Sequence, residues 1–344
     1  MKKNSWKRDF KEASNGIELI QKHMKVAIPL YSQEEYKFHA KIPASFISRI
    51  NPEDPLDPLL LQVMDPLKDK VNLGIKDPLN EQAFSHQGLI QKYKSRALIV
   101  TTQACPIHCR YCFRQHFPYD KNIASKDHYS ETVKLIASDI NLKEVILSGG
   151  DPLSLSDNKL GQLINSIDRI KHINTIRVHT RFPIAIPSRI NDSLINIFKS
   201  LRARLVIVIH CNHPNELNEE VKEVLLTLSR IHNLTLLNQS VLLKNINDSH
   251  DTLLALSHKL FNCGVLPYYL HLLDPVLGSE HFQVELNTIK ILYKKLMGEL
   301  PGYLLPRLVK EVPGESSKIP FELLDESILN DLYFKGSSTP SSAS

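Results

Sequence analysis

Three cysteines fall within eight residues, in the segment Cys105-Pro106-Ile107-His108-Cys109-Arg110-Tyr111-Cys112. In a chain with an odd total of five cysteines, such clustering points to metal or cluster ligation rather than to a disulfide framework. Three thiolates can hold three irons of a [4Fe–4S] cluster and leave the fourth open to a small molecule. The competing chemistry is a Cys3His zinc site with His108 or His116 as fourth ligand, although paired C-x2-C knuckles are the commoner zinc pattern. Downstream, Ser148-Gly149-Gly150-Asp151 is a turn whose glycines let backbone approach a ligand closely. Alone, such a turn is more often just a tight loop. Near the end, Lys318 follows Pro313-Gly314-Glu315-Ser316-Ser317. A lysine framed by small and turn residues can reach into a pocket with backbone amides nearby for a phosphate, and so form an imine with pyridoxal phosphate. On composition alone it would be an ordinary surface lysine.

Composition narrows the setting for this chemistry. The 344 residues suffice for one large domain with appendages or for two. The apolar share of 42% and charged share of 23% are those of a soluble globular protein. The net charge of +5 is modest, and no Lys/Arg stripe with interleaved aromatics argues for nucleic acid. No apolar run approaches the roughly 20 residues that span a bilayer. Met1-Lys2-Lys3-Asn4-Ser5-Trp6 leads into no apolar signal core, so a cytoplasmic location is expected.

Positioning these groups requires a repeating scaffold. Residues 1–90 read as an N-terminal extension of mixed helix and loop, with turns at Asn51-Pro52 and at the Asp57-Pro58 and Asp77-Pro78 steps. Beyond Arg96, apolar runs of strand length lie at 97–101, 144–147, 175–179, 205–210, 234–237 and 265–270. Helical spacing separates them at 130–140, 157–170, 192–201, 215–231, 249–261 and 280–296. This alternation predicts a parallel sheet with right-handed crossovers. Polar groups follow successive strands: the cysteine loop, Ser148 to Asp151, Thr180-Arg181, Cys211-Asn212-His213, Asn238-Gln239-Ser240 and His271 to Asp274. Sites in α/β folds gather at such strand ends. The expected fold is therefore α/β: a partial (β/α)6 TIM-like barrel over 91–320, then a C-terminal segment, 321–344. Its low-complexity tail, 336–344, is expected to be disordered.

The cysteine loop, following the first barrel strand, resembles that of the radical S-adenosylmethionine (SAM) superfamily. The resemblance implies that Cys105, Cys109 and Cys112 ligate the cluster and that its open iron binds SAM, which one electron splits to a 5′-deoxyadenosyl radical. From about Tyr93 to Lys318 the chain also resembles the lysine 2,3-aminomutase family. The matching stretches are Gln91-Lys92-Tyr93-Lys94-Ser95-Arg96, Asn212-His213-Pro214-Asn215-Glu216, Asn238-Gln239-Ser240-Val241 and Pro267-Tyr268-Tyr269, with the Pro-Gly turn before Lys318. That likeness implies Lys318 as the pyridoxal lysine, and Tyr93, Arg96 and Arg181 around the pyridoxal and its phosphate. It implies Gly149, Gly150, Asp151 and Gln239 at SAM, Arg114 on the substrate carboxylate, and Asp274 on the distal ammonium of L-lysine. A guanidinium fork suits a planar carboxylate.

Two departures from the family pattern stand out. Its second ammonium-binding aspartate, seven positions before the pyridoxal lysine, falls on Glu311, one methylene longer. Ser249 replaces the first structural-zinc cysteine of the clostridial-type enzymes, so no zinc is expected, and Cys211 and Cys263 read as structural thiols. Glu311, the Gly314-Glu315-Ser316-Ser317-Lys318-Ile319-Pro320 turn and the short C-terminus resemble one branch of the family. That branch makes (R)-β-lysine, which a separate lysine ligase attaches to elongation factor P. The expected protein is thus an isomerase using a [4Fe–4S] cluster, SAM and pyridoxal phosphate. An electron donor such as flavodoxin or ferredoxin is expected, with neither nucleic acid nor membrane as partner. The rival within the chemistry is a free-standing lysine 2,3-aminomutase serving catabolism or osmolyte synthesis. From another class, a non-catalytic iron–sulfur or zinc protein would leave Lys318 unexplained.

Overall fold

The computed structural model describes residues 5–28, 40–64, 74–86, 88–124, 129–315 and 317–325. The tail expected to be disordered, 336–344, lies outside them. A single sheet runs in chain order through ten strands. A hairpin of β1 (Ser85–His86) and β2 (Leu89–Tyr93) leads into β3 (Arg96–Thr102). Six further strands join it in parallel: β4 (Glu144–Gly149), β5 (Thr175–Thr180), β6 (Arg204–His210), β7 (Leu234–Val241), β8 (Leu266–His271) and β9 (Arg307–Lys310). β10 (Ile319–Pro320) closes the order antiparallel to β9. Each parallel pair is joined by a crossover with a helix of eight or more residues, with a further four-residue helix between β3 and β4 and between β5 and β6, making the six βα repeats of a partial barrel.

Each of the six strand runs and six helical runs read from the sequence corresponds to an element here. The helix starts have local causes. Ser156, Asn191, Asn218 and Ser249 each accept a bond from a first-turn N–H, satisfying a donor with no partner inside the helix. Ser249 is therefore the N-cap of helix His250–Asn262. Pro214 and the Asn218 cap explain why the helix expected from 215 begins at Glu219, after a 3-10 turn at Pro214–Glu216. β1, β9 and β10 escaped the periodicity because runs of two to four residues carry none.

The strands are two-faced. Ala97, Ile99, Val145, Leu147, Ile176, Val178, Leu205, Ile207 and Ile209 pack outward against helix residues such as Ile136, Leu160, Ile164, Leu194, Phe198 and Leu225. That core also contains Trp6, Ile20, Ile42, Phe46 and Leu60. The segment before the barrel is thus packed into its hydrophobic core, with the Trp6 and Phe10 rings 6.0 and 5.6 Å from that of Phe182. Among the described residues no helix is long and apolar enough to cross a membrane.

Candidate active site

Because strand side chains alternate between faces, the residues between the outward apolar ones line the barrel interior. They include Arg96, Glu144, Ser148, Arg177, His179, His210, Gln239, Tyr269 and His271. Arg177 and Glu144 form a bidentate pair there, with bonds of 2.7 and 2.8 Å. His179 Nε2 is buried without a hydrogen-bond partner. Burial, then the charges of Arg177 and Arg114, drives the His179 imidazole well below the usual histidine range. His271 is lowered by burial and by Lys318, and His210 falls to about 3 through burial and Arg181. The interior thus presents neutral imidazoles at neutral pH. From Arg96 to Thr102, β3 rises about 20 Å at ~3.3 Å per residue, which sets the height of this polar column.

The cysteine loop caps the carboxyl end of β3. It is braced by the N-terminal segment: His108 N donates to Lys41 O and Arg110 N to Gln62 O, both at 2.9 Å. The Gly149-Gly150 turn of β4 holds it from the other side, with Gly150 N bonded to Thr102 O and Asp151 N to Ala104 O. Gly149 has φ +112, and a Cβ on Gly150 would come within 2.5 Å of Ala104 O. These glycines are required for contact between two stretches of the chain's own backbone. The Asp151 carboxylate is 3% exposed and accepts from Thr180 Oγ1, Arg181 N and Leu153 N. It clasps the ends of β4 and β5, and burial pushes its carboxyl up to about 6 against those bonds.

Burial of the sulfur and the neighbouring thiols push Cys105 and Cys112 upward, Cys112 to about 12. Metal loading must therefore displace protons. Among the described residues, no three Cys, His, Asp or Glu side chains converge as they would on one ion. A [4Fe–4S] cube is wider than an ion, and its protein ligands bind different irons. Three thiols on one loop that sense one another's charge are a donor set suited to it.

The other expected residues divide into groups. Arg114, 7% exposed, is gripped by both carboxylate oxygens of Glu81 at 2.7 and 2.8 Å, with Ser148 Oγ at 2.9 Å. Burial opposes its charge, but Glu81 outweighs that and holds its proton more tightly. Asp274 pairs with the buried Lys310, Nζ to Oδ1 3.1 Å, and Lys310 also donates to Leu273 O. Register places Ile319 opposite Lys310, so the β9–β10 hairpin brings Lys318 across from Glu311. The seven-residue spacing is that of a hairpin. Lys318 Nζ bonds one Glu311 oxygen, and Lys92 Nζ reaches the other at 3.0 Å. Despite burial, these two cations lower Glu311 to about 2.

Tyr93 and Arg96 face each other across the β2–β3 turn, with the guanidinium 4.0 Å from the ring centre. Tyr93 also feels the charges of Glu311 and Lys318. Tyr93 and Arg96 stand where β2 turns into β3, and Glu311 directly follows β9. Gln239 stands on β7 beside His210. Arg181, expected around the pyridoxal, instead contacts the cysteine loop, where its guanidinium meets Cys109, Tyr111, Gln62 and Glu216. Sequence reasoning gave no roles to Gln62, Glu81, Lys92, Tyr111, Glu216 and Lys310. Of these, Glu216 lay inside the Asn-His-Pro-Asn-Glu stretch, Lys92 inside the Gln-Lys-Tyr-Lys-Ser-Arg stretch and Tyr111 inside the cysteine segment.

Residues 99–256 match the model of the radical SAM superfamily, so the barrel, with its cysteine loop after β3, is that of a radical SAM enzyme. An L-lysine 2,3-aminomutase from Buchnera aphidicola is 42% identical over 85% of this chain and 86% of its own. The Escherichia coli protein of that name is also 42% identical, over 83% and 84%. A Clostridium subterminale one is 30% identical over 92% and 77%. The chain belongs to the L-lysine 2,3-aminomutase family and is an isomerase.

The family's cofactors are the cluster, SAM and pyridoxal phosphate. For the last, the residues present fit: an amine on Lys318, cations at Lys92 and Arg96 for a phosphate, and an orphaned imidazole nitrogen on the interior wall.

Two outcomes follow from these contacts. Gly150→Ala forces its Cβ into the backbone of Gln103 and Ala104, so iron and sulfide content after reconstitution should fall at least severalfold while far-ultraviolet circular dichroism is kept. The depressed Glu311 carboxyl stabilises the fold fully above pH 4.5, and this is lost as pH falls toward 2. Glu311→Gln should therefore remove on the order of 2–3 kcal/mol of pH-dependent stability over that window, read by urea unfolding of the two proteins from pH 6 to 3.

Proposed function

We propose that this protein is a pyridoxal phosphate-dependent radical SAM enzyme that converts L-lysine to (R)-β-lysine, destined for β-lysylation of elongation factor P by a separate ligase. The observation that carries the reading is the β9–β10 hairpin, which sets the Lys318 amine against Glu311 beside Asp274 and Tyr93. The Glu311 replacement supports the elongation factor P branch. A reducing compartment, the cytoplasm, suits the free thiols, and flavodoxin or ferredoxin suits the one-electron demand.

When bound, the cluster with SAM supplies a hydrogen-abstracting carbon radical, and pyridoxal phosphate supplies a conjugated ring over which an unpaired electron spreads. The chain's part is to place the substrate between them. Cys105, Cys109 and Cys112 would hold the cluster at the carboxyl end of β3. The Gly149-Gly150-Asp151 turn and Gln239 would flank SAM. Lys318 would hold the pyridoxal cofactor through its amine, and Lys92, Tyr93 and Arg96 would take its phosphate end. Arg114 turns from Glu81 to the substrate carboxylate. Asp274 and Glu311 receive the distal ammonium in exchange for the lysines they now hold. The enclosed interior keeps water from a reactive carbon centre.

Anaerobic turnover of L-lysine with all three cofactors and a reductant, followed by chiral analysis, tests the reading. (R)-β-lysine is expected; the (S) product favours the free-standing mutase, and no β-lysine with SAM still cleaved sinks the substrate assignment. Lys318→Ala should keep the cluster and abolish both turnover and the near-visible pyridoxal band. A retained band rules out Lys318 as the attachment point.

A further inference from the structure

The Arg181 guanidinium is 5% exposed and has four partners. Nη1 donates to Cys109 Sγ at 2.6 Å and to the Tyr111 hydroxyl at 2.9 Å; Nη2 donates to Gln62 Oε1 at 2.6 Å and Glu216 Oε2 at 3.0 Å. Each partner is itself fixed. Glu216 is fully buried, and its other oxygen accepts the backbone N–H groups of Asn212 and His213. Gln62, also fully buried, accepts from Tyr111 and Asn212 and holds the cysteine loop through its carbonyl. The cation thus sits at a set place against one cysteine of the loop. Pairing with Glu216 alone would not require one face of the fork to be spent on a sulfur.

We propose that Arg181 is a positioning residue for the iron–sulfur cluster: its charged N–H group on the Cys109 sulfur raises the cluster's reduction potential, with Glu216 as the opposing charge. Accepting one electron adds a negative charge to the cluster. A nearby cation and an N–H···S bond stabilise that reduced state, and they do so more strongly where water is excluded. Glu216, one hydrogen bond beyond Arg181, biases the cluster the other way. Arg181 and Glu216 should therefore move the potential in opposite directions when neutralised, which a purely structural ion pair would not do. The inference rests on the three cysteines being the cluster ligands.

The experiment is a redox titration, followed by electron paramagnetic resonance, of the reconstituted full-length protein and its Arg181→Gln and Glu216→Gln variants, each assayed for iron and sulfide. Arg181→Gln should give about tenfold less reduced cluster at a given ambient potential, a fall of about 59 mV for one electron. Glu216→Gln should shift it upward. Unmoved potentials in variants with a full cluster overturn the proposal. So does loss of the cluster from both variants with native circular dichroism, which would make the pair a brace for the loop. If only one variant retains its cluster, its sign alone decides. Absence of iron from the unaltered protein would instead overturn the cysteine assignment, a failure distinct from an unmoved potential.

Discussion

The whole arrangement depends on the two faces of a parallel strand. Helices on the outside take the apolar face, and the side chains between must point into a barrel too small to hydrate them fully. Here those positions carry Arg96, Glu144, Arg177, His179, His210 and His271. An unpaired buried charge costs several kcal/mol, so a polar interior is stable only if its charges meet their opposites. Arg177 with Glu144, Arg114 with Glu81, Lys310 with Asp274, and Glu311 between Lys92 and Lys318 meet that condition. The same condition makes the interior a ligand site, because a charged molecule enters at little electrostatic penalty only where it can replace one member of an existing pair.

The N-terminal segment shows the constraint from outside the barrel. The loop bearing the three thiols is anchored by Ile107 and Tyr111, which sit in apolar clusters. Lys41 and Gln62 add backbone carbonyls that accept from the loop, and Gln62 extends the hold to Tyr111, Arg181 and Glu216. Phe46 and Leu60 in turn fix this segment by sharing the barrel's hydrophobic core. The expected extension is therefore part of the structure around the cluster loop. Its irregular look follows from short helices whose ends are set by tertiary packing.

Pairing also explains the uneven legibility of the site. Cys105, Cys109 and Cys112 were visible because cluster ligation imposes a local spacing on one loop. Lys318 and Glu311 were visible as a seven-residue interval, and the hairpin register supplies its geometric meaning. Arg181 was visible as a polar group after a strand, but not its direction. Thr180 and Asp151 set the backbone there, and the side chain runs to Cys109.

By itself, the sequence determined the class of scaffold and the chemistry it carries. Apolar periodicity, N-cap residues and motif spacing act within a few residues of chain, and each is written in consecutive letters. Only the tertiary structure decided which charge faces which. Glu81 reaches Arg114 across 33 residues, Gln62 reaches Arg181 across 119, and Lys92 reaches Glu311 across 219. No local pattern encodes such pairs, because sheet closure and the burial that forbids a lone charge select them.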